Sequence, residues 1–265
     1  WGPTSDVTDQ NKVIRMNTTM ALAGQPRRFT QYAPTAMGST PPPTRTYEFA
    51  ALRADGSRLV AQTKAPALPL IESAYSAFAR GTVLEGRDGP IAIEDLQPGD
   101  WLRTTNGDAA QAVWIGSTNF VPADTGRRTS LIRIMADTFG PARPESFLTV
   151  GPSARLLQTP HNLRGNLTSR AQMLTPARDF VDGVNVIEVT PPTSVRLFHI
   201  CLTRHAAIYA CGMPMETFHP GAQATRNVSH AVRDMFLSMF PRISHVTDFG
   251  PLAHPRAPEQ VGTAA

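Results

Sequence analysis

The chain has 265 residues, 41% of them hydrophobic, which suffices for one large β domain or for a medium domain with extensions. Its formal charge is +4, but the cations are almost all arginines set singly along the chain: the lysines are Lys12 and Lys64, and the adjacent pairs are Arg27-Arg28 and Arg127-Arg128. So dispersed an excess argues against a phosphate-tracking surface, which needs several cations along one path, and twenty-four prolines argue against a fold dominated by long helices.

Residues 1–45 are polar, with a proline tract at Pro41-Pro42-Pro43, and read as an extended or loosely ordered arm, because proline is excluded from helix interiors and central strands. No leader of the basic-then-apolar kind opens the chain, which starts at Trp1, and no apolar run approaches the roughly 20 residues of a membrane span. Localisation stays open between the cytoplasm and export. Over residues 46–76, TYEFAALRADGSRLVAQT reads as a β-hairpin turning at Ala54-Asp55-Gly56, since Asp-Gly tolerates the positive φ that tight hairpin turns require.

From residue 77 short β-prone runs follow one another: TVLEG, GPIAIED, DWLRTT, QAVWIG, SLIRIM, FLTVG, ARLLQ, NVIEV, VRLFHICL and AAIYAC. Turn residues separate them at short spacing, the pattern of an all-β fold of many short strands. Cys201 and Cys211 each lie in such a run; two cysteines make neither a disulfide framework nor a zinc site, and buried free thiols are expected. Residues 223–246 carry the clearest helix, in NVSHAVRDMFLSMF. Val228, Val232, Met235, Phe236 and Met239 recur there at helical spacing, Asn227 is the predicted N-cap, and Pro241 lies past the end. The stripe is either a packing face on the β domain or a contact surface for another chain. Residues 247–265, rich in Pro, Ala and Gly, read as a flexible tail.

Three segments carry a recognisable pattern. The first runs from Ala77-Phe78-Ala79-Arg80-Gly81-Thr82 through Glu94-Asp95-Leu96-Gln97-Pro98-Gly99-Asp100 to Val113-Trp114-Ile115-Gly116. The second is the strand-turn Val150-Gly151-Pro152-Ser153-Ala154-Arg155-Leu156-Leu157, and the third ends in Glu216-Thr217-Phe218-His219-Pro220-Gly221. Together they resemble a bacterial Hint (Hedgehog/intein) domain of the Hint_2-like type, over about residues 77–222. The resemblance implies an all-β module of short twisted strands, here preceded by a hairpin-bearing arm and followed by a short helix.

It also implies a reaction, and two positions lack its groups. The family's first residue is a nucleophile that attacks the preceding carbonyl; here it is Ala77, which has no side-chain lone pair. The histidine of the second motif, which protonates or polarises the scissile amide, is matched by Ala154, and Gly151 stands for the usual Ser. Three other residues bear on the question. Ser76 and Thr82 are shifted hydroxyls that a one-residue slip would turn to the opposite face, and His161 reads as a turn residue. Residues His199 and His205 lack the further ligands a metal needs, and Glu94, Asp95 and Asp100 read as turn residues that bind backbone.

No cofactor, metal or small-molecule substrate is expected. The leading functional reading is a catalytically silent Hint module serving as a structural or interaction component among other protein subunits. Self-cleavage at Ser76–Ala77 is the alternative, and a basic nucleic-acid-associated module comes third.

Overall fold

The computed structural model describes residues 42–122, 129–159 and 172–257. The expectations for residues 1–41, for Arg127-Arg128, for His161 and for residues 258–265 lie outside these.

The described chain is β-rich, as the short apolar runs predict. A long hairpin, β1 (Thr44–Leu52) and β2 (Arg58–Pro66), leads into a five-residue helix α1 (Pro69–Ser73). Strands β3 (Phe78–Ala79), β4 (Val83–Gly86), β5 (Gly89–Ala92), β6 (Trp101–Arg103) and β7 (Ala109–Phe120) follow. Next come β8 (Leu131–Ile134), β9 (Leu148–Val150), β10 (Arg155–Leu157), β11 (Leu174–Pro176) and β12 (Val186–Val189). The sheet is completed by β13 (Val195–Leu202), β14 (Ala207–Ala210) and β15 (Met213–Glu216), after which comes helix α2 (His230–Ser238). Among the described residues all the strands join one antiparallel sheet in the order β11-β10-β15-β14-β4-β6-β7-β13-β3-β9-β8-β12, with the β1–β2 hairpin added to β7 and β5 to β4.

The hairpin turns where Asp-Gly predicts. Asp55 Oδ1 accepts from the Ser57 N–H at 2.9 Å and from the Ser57 hydroxyl at 2.7 Å, while Gly56 takes a φ of 83°. The Arg53 N–H donates to the Ser57 carbonyl at 2.8 Å, closing a five-residue connection. Strand β7 is the spine: β6 pairs with its start, and its second half lies between β1 and β13.

Side chains fill two main cores. The larger collects Phe78, Leu84, Leu102, Ile115, Ile132, Ile134, Phe198, Ile200, Ile208 and Met213 from both halves of the sheet. The second is aromatic and centres on Trp114, which lies 5.2 Å from Tyr75 and 4.5 Å from Phe240 by ring centroids. The Trp114 indole N–H donates to the Met239 carbonyl at 2.7 Å, so a buried polar tip finds a partner at the end of α2. Gly116 makes this core possible: a Cβ there would overlap the Trp114 and Tyr75 rings.

Two local expectations are revised. Ser229, not Asn227, caps α2, its hydroxyl accepting from the Val232 N–H at 3.3 Å; the helix begins two residues later than the apolar spacing suggests. Residues 247–257 are packed. Phe249 meets Phe240 at 5.1 Å and Phe218 at 5.8 Å, the Leu174 N–H donates to the Pro255 carbonyl at 2.8 Å, and the Ala257 N–H donates to the Leu174 carbonyl at 3.0 Å. Proline and glycine bar this segment from regular structure, but not from being held by side chains and a few backbone bonds. No helix among the described residues is long and apolar enough to cross a membrane.

Candidate functional site

Helix α1 ends just before the Ser76–Ala77 peptide, and β3 begins just after it. The peptide is tied down on both sides. The Ala77 N–H donates to the Phe198 carbonyl at 2.9 Å, the Gly151 N–H to the Ala77 carbonyl at 2.8 Å, and the Ser153 N–H to the Ser76 carbonyl at 3.1 Å. Segments far apart in sequence, 76–78, 150–154 and 198–199, thus meet at one peptide bond, and all three fall in segments singled out by their motif pattern, the last at the start of the third, residues 197–221.

The side chains there are mostly mute. Ala77 and Ala154 are each 1% exposed and belong to the same apolar core, so two positions distant in sequence do converge, and neither carries a functional group. Gly151 lies so close to the junction that a Cβ would overlap the Ser76 carbonyl. The neighbouring hydroxyls are engaged. Ser76 Oγ–H donates to the Glu72 carbonyl at 2.7 Å, with Ser153 Oγ 3.2 Å away, and Thr82 Oγ1–H donates to the Ala79 carbonyl at 2.7 Å.

His199 is a titratable side chain beside the junction. The register Phe198↔Phe78, extended by one residue, sets it opposite Ala77. Its Nδ1–H donates to the Ser73 carbonyl at 2.8 Å, its Nε2 is buried without a hydrogen-bond partner, and the rings of Phe78 and Phe218 flank it at 5.9 and 5.2 Å. Burial pushes its pKa down to about 4, so the imidazole is neutral at physiological pH. The hydroxyl-bearing and histidine neighbours are therefore fixed by backbone bonds, with none set up as a nucleophile–base pair.

His205 belongs to a second polar centre, to which the motif pattern assigns no role. Glu216 is almost fully buried and meets three basic groups: His205 Nε2 at 3.1 Å, Arg256 at 2.9 Å and Arg155 at 3.6 Å. The Ala253 N–H donates to His205 Nδ1 at 2.9 Å, so the ring proton sits on Nε2 and is donated to the carboxylate. Burial opposes ionisation of Glu216, but the His205 bond and the Arg256 charge prevail and hold its pKa below the usual carboxylate range. A carboxylate among apolar residues in MPMETF was the available signal; its partner Arg256 lies 40 residues further on and could not be read. The network clamps the C-terminal segment to the end of β15.

The remaining candidates are turn residues. The Gln97 N–H donates to Asp100 at 2.8 Å and the Gly81 N–H to Glu94 at 2.9 Å, with Arg80 also pairing with Glu94. Asp95 lies in the same loop, its N–H bonded to the Ala92 carbonyl at 3.0 Å. Cys201 and Cys211 are free thiols, both raised in pKa by burial.

On α2 and its flanks, Phe236 and Met239 are buried in the Trp114 core and Val228 and Val232 pack against it, so this face is spent inside the chain. Met235 is 37% exposed. It lies about 100° around the helix from Phe236, off the buried stripe.

The family model described as "Hint domain" matches residues 76–222. No curated protein matches. Among solved structures, the MchDnaB-1 intein is similar at 16% identity and a TM-score of 0.32, the match covering 54% of this chain and all of the intein. A bacterial intein-like domain from Clostridium thermocellum is similar at 13% identity and a TM-score of 0.30, covering 54% of this chain and 99% of that domain.

Proposed function

This chain belongs to the Hint domain family, and from that premise we propose that it keeps the family's fold without the family's reaction, acting as a structural or protein-interaction component of a larger assembly. The observation that carries this reading is the convergence of Ala77 and Ala154 on the Ser76–Ala77 peptide. The N-to-S acyl shift needs a side-chain nucleophile on the residue after the scissile carbonyl and a group to polarise or protonate the amide. A methyl group stands at both positions, and the nearby hydroxyls donate to backbone carbonyls. The hairpin before the matched region and the helix and clamped segment after it are the parts left to make contacts with other subunits.

Autoprocessing is the second reading. Two contacts favour it: the Ser153 N–H on the Ser76 carbonyl, which would steady a developing oxyanion, and His199 at the register position opposite Ala77. The two readings separate on a variant. Reducing thiol added to Ala77→Cys/Ala154→His tests whether the scaffold can still direct acyl transfer, and His199→Gln in the native chain tests whether that residue takes part in cleaving it. The silent reading expects no fragment from the native chain under any condition that leaves it folded. Fragments from the native chain that disappear in His199→Gln would establish autoprocessing instead.

A further inference from the structure

A cleft of about 410 Å³ opens over a third, smaller apolar cluster that holds Ala79, Leu131 and Leu197. It lies on the opposite sheet face from the larger core: Phe78 and Ile132 belong to that core, and their chain neighbours Ala79 and Leu131 line the cleft. Val189, beside Leu131 in the β12–β8 ladder, and Val195 add apolar wall, and residues 190–192, a threonine and two prolines, complete the lining. Between the core residues Ile132 and Ile134, strand β8 turns Arg133 to this face. Arg133 is only partly exposed, and among the described residues no acidic side chain lines the cleft or pairs with it. Instead its Nε–H donates at 3.4 Å to Thr149 Oγ1, directly across the β8–β9 ladder, and its guanidinium carbon lies 5.0 Å from the centroid of the Phe147 ring. These contacts use Nε and one face of the plane. The terminal N–H groups, the fork that grips a carboxylate or phosphate, take part in neither.

We propose that this cleft binds a small organic anion, its carboxylate or phosphate held by the Arg133 fork and its apolar body lying against Leu131, Val189 and Val195. Charge selects the head. The titratable groups of the lining are Arg80 and Arg133, both cationic, and a neutral head would leave the Arg133 guanidinium without a counter-charge. Arg80 is exposed and already shares Glu94, so it assists from the rim and recognition rests on Arg133. The walls select the body: a bare inorganic anion would leave them in water, whereas a phenyl-sized group covers them. The volume falls within the range of small-molecule sites and exceeds what one benzene ring needs. All the lining residues fall within the matched 76–222, so the site belongs to the Hint module itself and not to the segments this chain adds. Neither Ala77 nor Ala154 lines the cleft, so the inference goes beyond the silent-site reading and does not depend on it.

Titrating the 265-residue chain with phenylacetate should shift the NMR signals of the Thr149, Thr190 and Val195 amides and give a Kd of about 0.1–1 mM. Phenylacetamide has the same body and no charge, and inorganic phosphate has charge and no body; each should bind about tenfold more weakly or worse. Phenyl phosphate separates the two head groups: whichever of it and phenylacetate binds more tightly is the head the site is built for. Arg133→Met, which keeps an unbranched side chain without its charge, should weaken phenylacetate about tenfold and leave phenylacetamide little changed. Arg133→Lys keeps the charge without the fork and should recover only part of the affinity. The amide shifts are read on the native chain, so they stand whether or not either variant folds. No shift at the cleft with up to about 10 mM of either phenyl anion would overturn the proposal, as would equal binding of phenylacetate and phenylacetamide or an affinity that ignores Arg133→Met. Peptide-bond cleavage enters none of these readouts, so failure here leaves the silent-site reading intact.

Discussion

At Gly151 the absence of a side chain is what lets the 150–154 turn close on the Ser76 carbonyl. Restoring the Ser of the family pattern would force a Cβ into that carbonyl, and neither backbone segment is free to retreat, each being hydrogen-bonded to the other. Gly151→Ser should therefore destabilise the protein by about 1–3 kcal/mol, read from the urea midpoint, whereas Ser153→Ala should change it by less than about 1.5 kcal/mol. An equal effect would mean the close approach is not a constraint. His199 makes a second prediction at this scale. Its folded pKa of about 4 lies below the ordinary value of 6.5, because burial penalises the imidazolium. Between those values the unfolded chain binds more protons, so this contribution is fully present above about pH 6.5 and is lost as pH falls toward 4, amounting to about 3 kcal/mol. Burial lowers His219 and His254 as well, with the same sign. His199→Gln, which does not titrate, should flatten the acid limb of the stability–pH curve relative to the native chain; parallel curves would refute the assignment.

Among the elements, the C-terminal segment depends on one buried carboxylate. Removing Glu216 takes the carboxylate from Arg256 and leaves His205 Nε2–H without its acceptor, so Glu216→Ala should lose about 3–5 kcal/mol in urea unfolding. Phe236→Ala, which empties a fully buried position between α2 and the Trp114 core, should lose a similar amount, about 3–5 kcal/mol, while Met235→Ala on the exposed flank should lose less than about 1 kcal/mol. Equal losses from Met235 and Phe236 would contradict the placement of the helix. The strands were legible where apolar residues recur between turn residues, and the hairpin at Asp55-Gly56 for the same reason. Strands β11 and β15 were not, because LTP and MPME carry proline and little periodicity; the ladders with β10 and β14 respectively make them strands. Met235 shared the helical spacing of the core residues, and only the direction in which α2 docks separates it from Phe236.

In the molecule as a whole, the motif pattern singles out residues 77 and 154, but its meaning depends on a tertiary fact: both lie in one core, and backbone bonds from Gly151 and Ser153 tie their segments together. Their residue types could be read directly. That the Ser76–Ala77 peptide is anchored by Phe198, Gly151 and Ser153, and faced by a neutral His199, could not, since it requires strand pairings between segments far apart in the chain. The clamp made by Glu216 was hidden for the same reason. A fold can persist after its chemistry because strand pairing and core packing depend on side chains that catalysis does not use. Here both positions are small apolar core residues, which under the proposed reading is a site lost as a unit. The most direct test is the intact mass of the 265-residue chain, followed over days at neutral pH with and without a reducing thiol. A single unchanged species near 28.7 kDa is the predicted result; time-dependent fragments corresponding to residues 1–76 and 77–265 would contradict it.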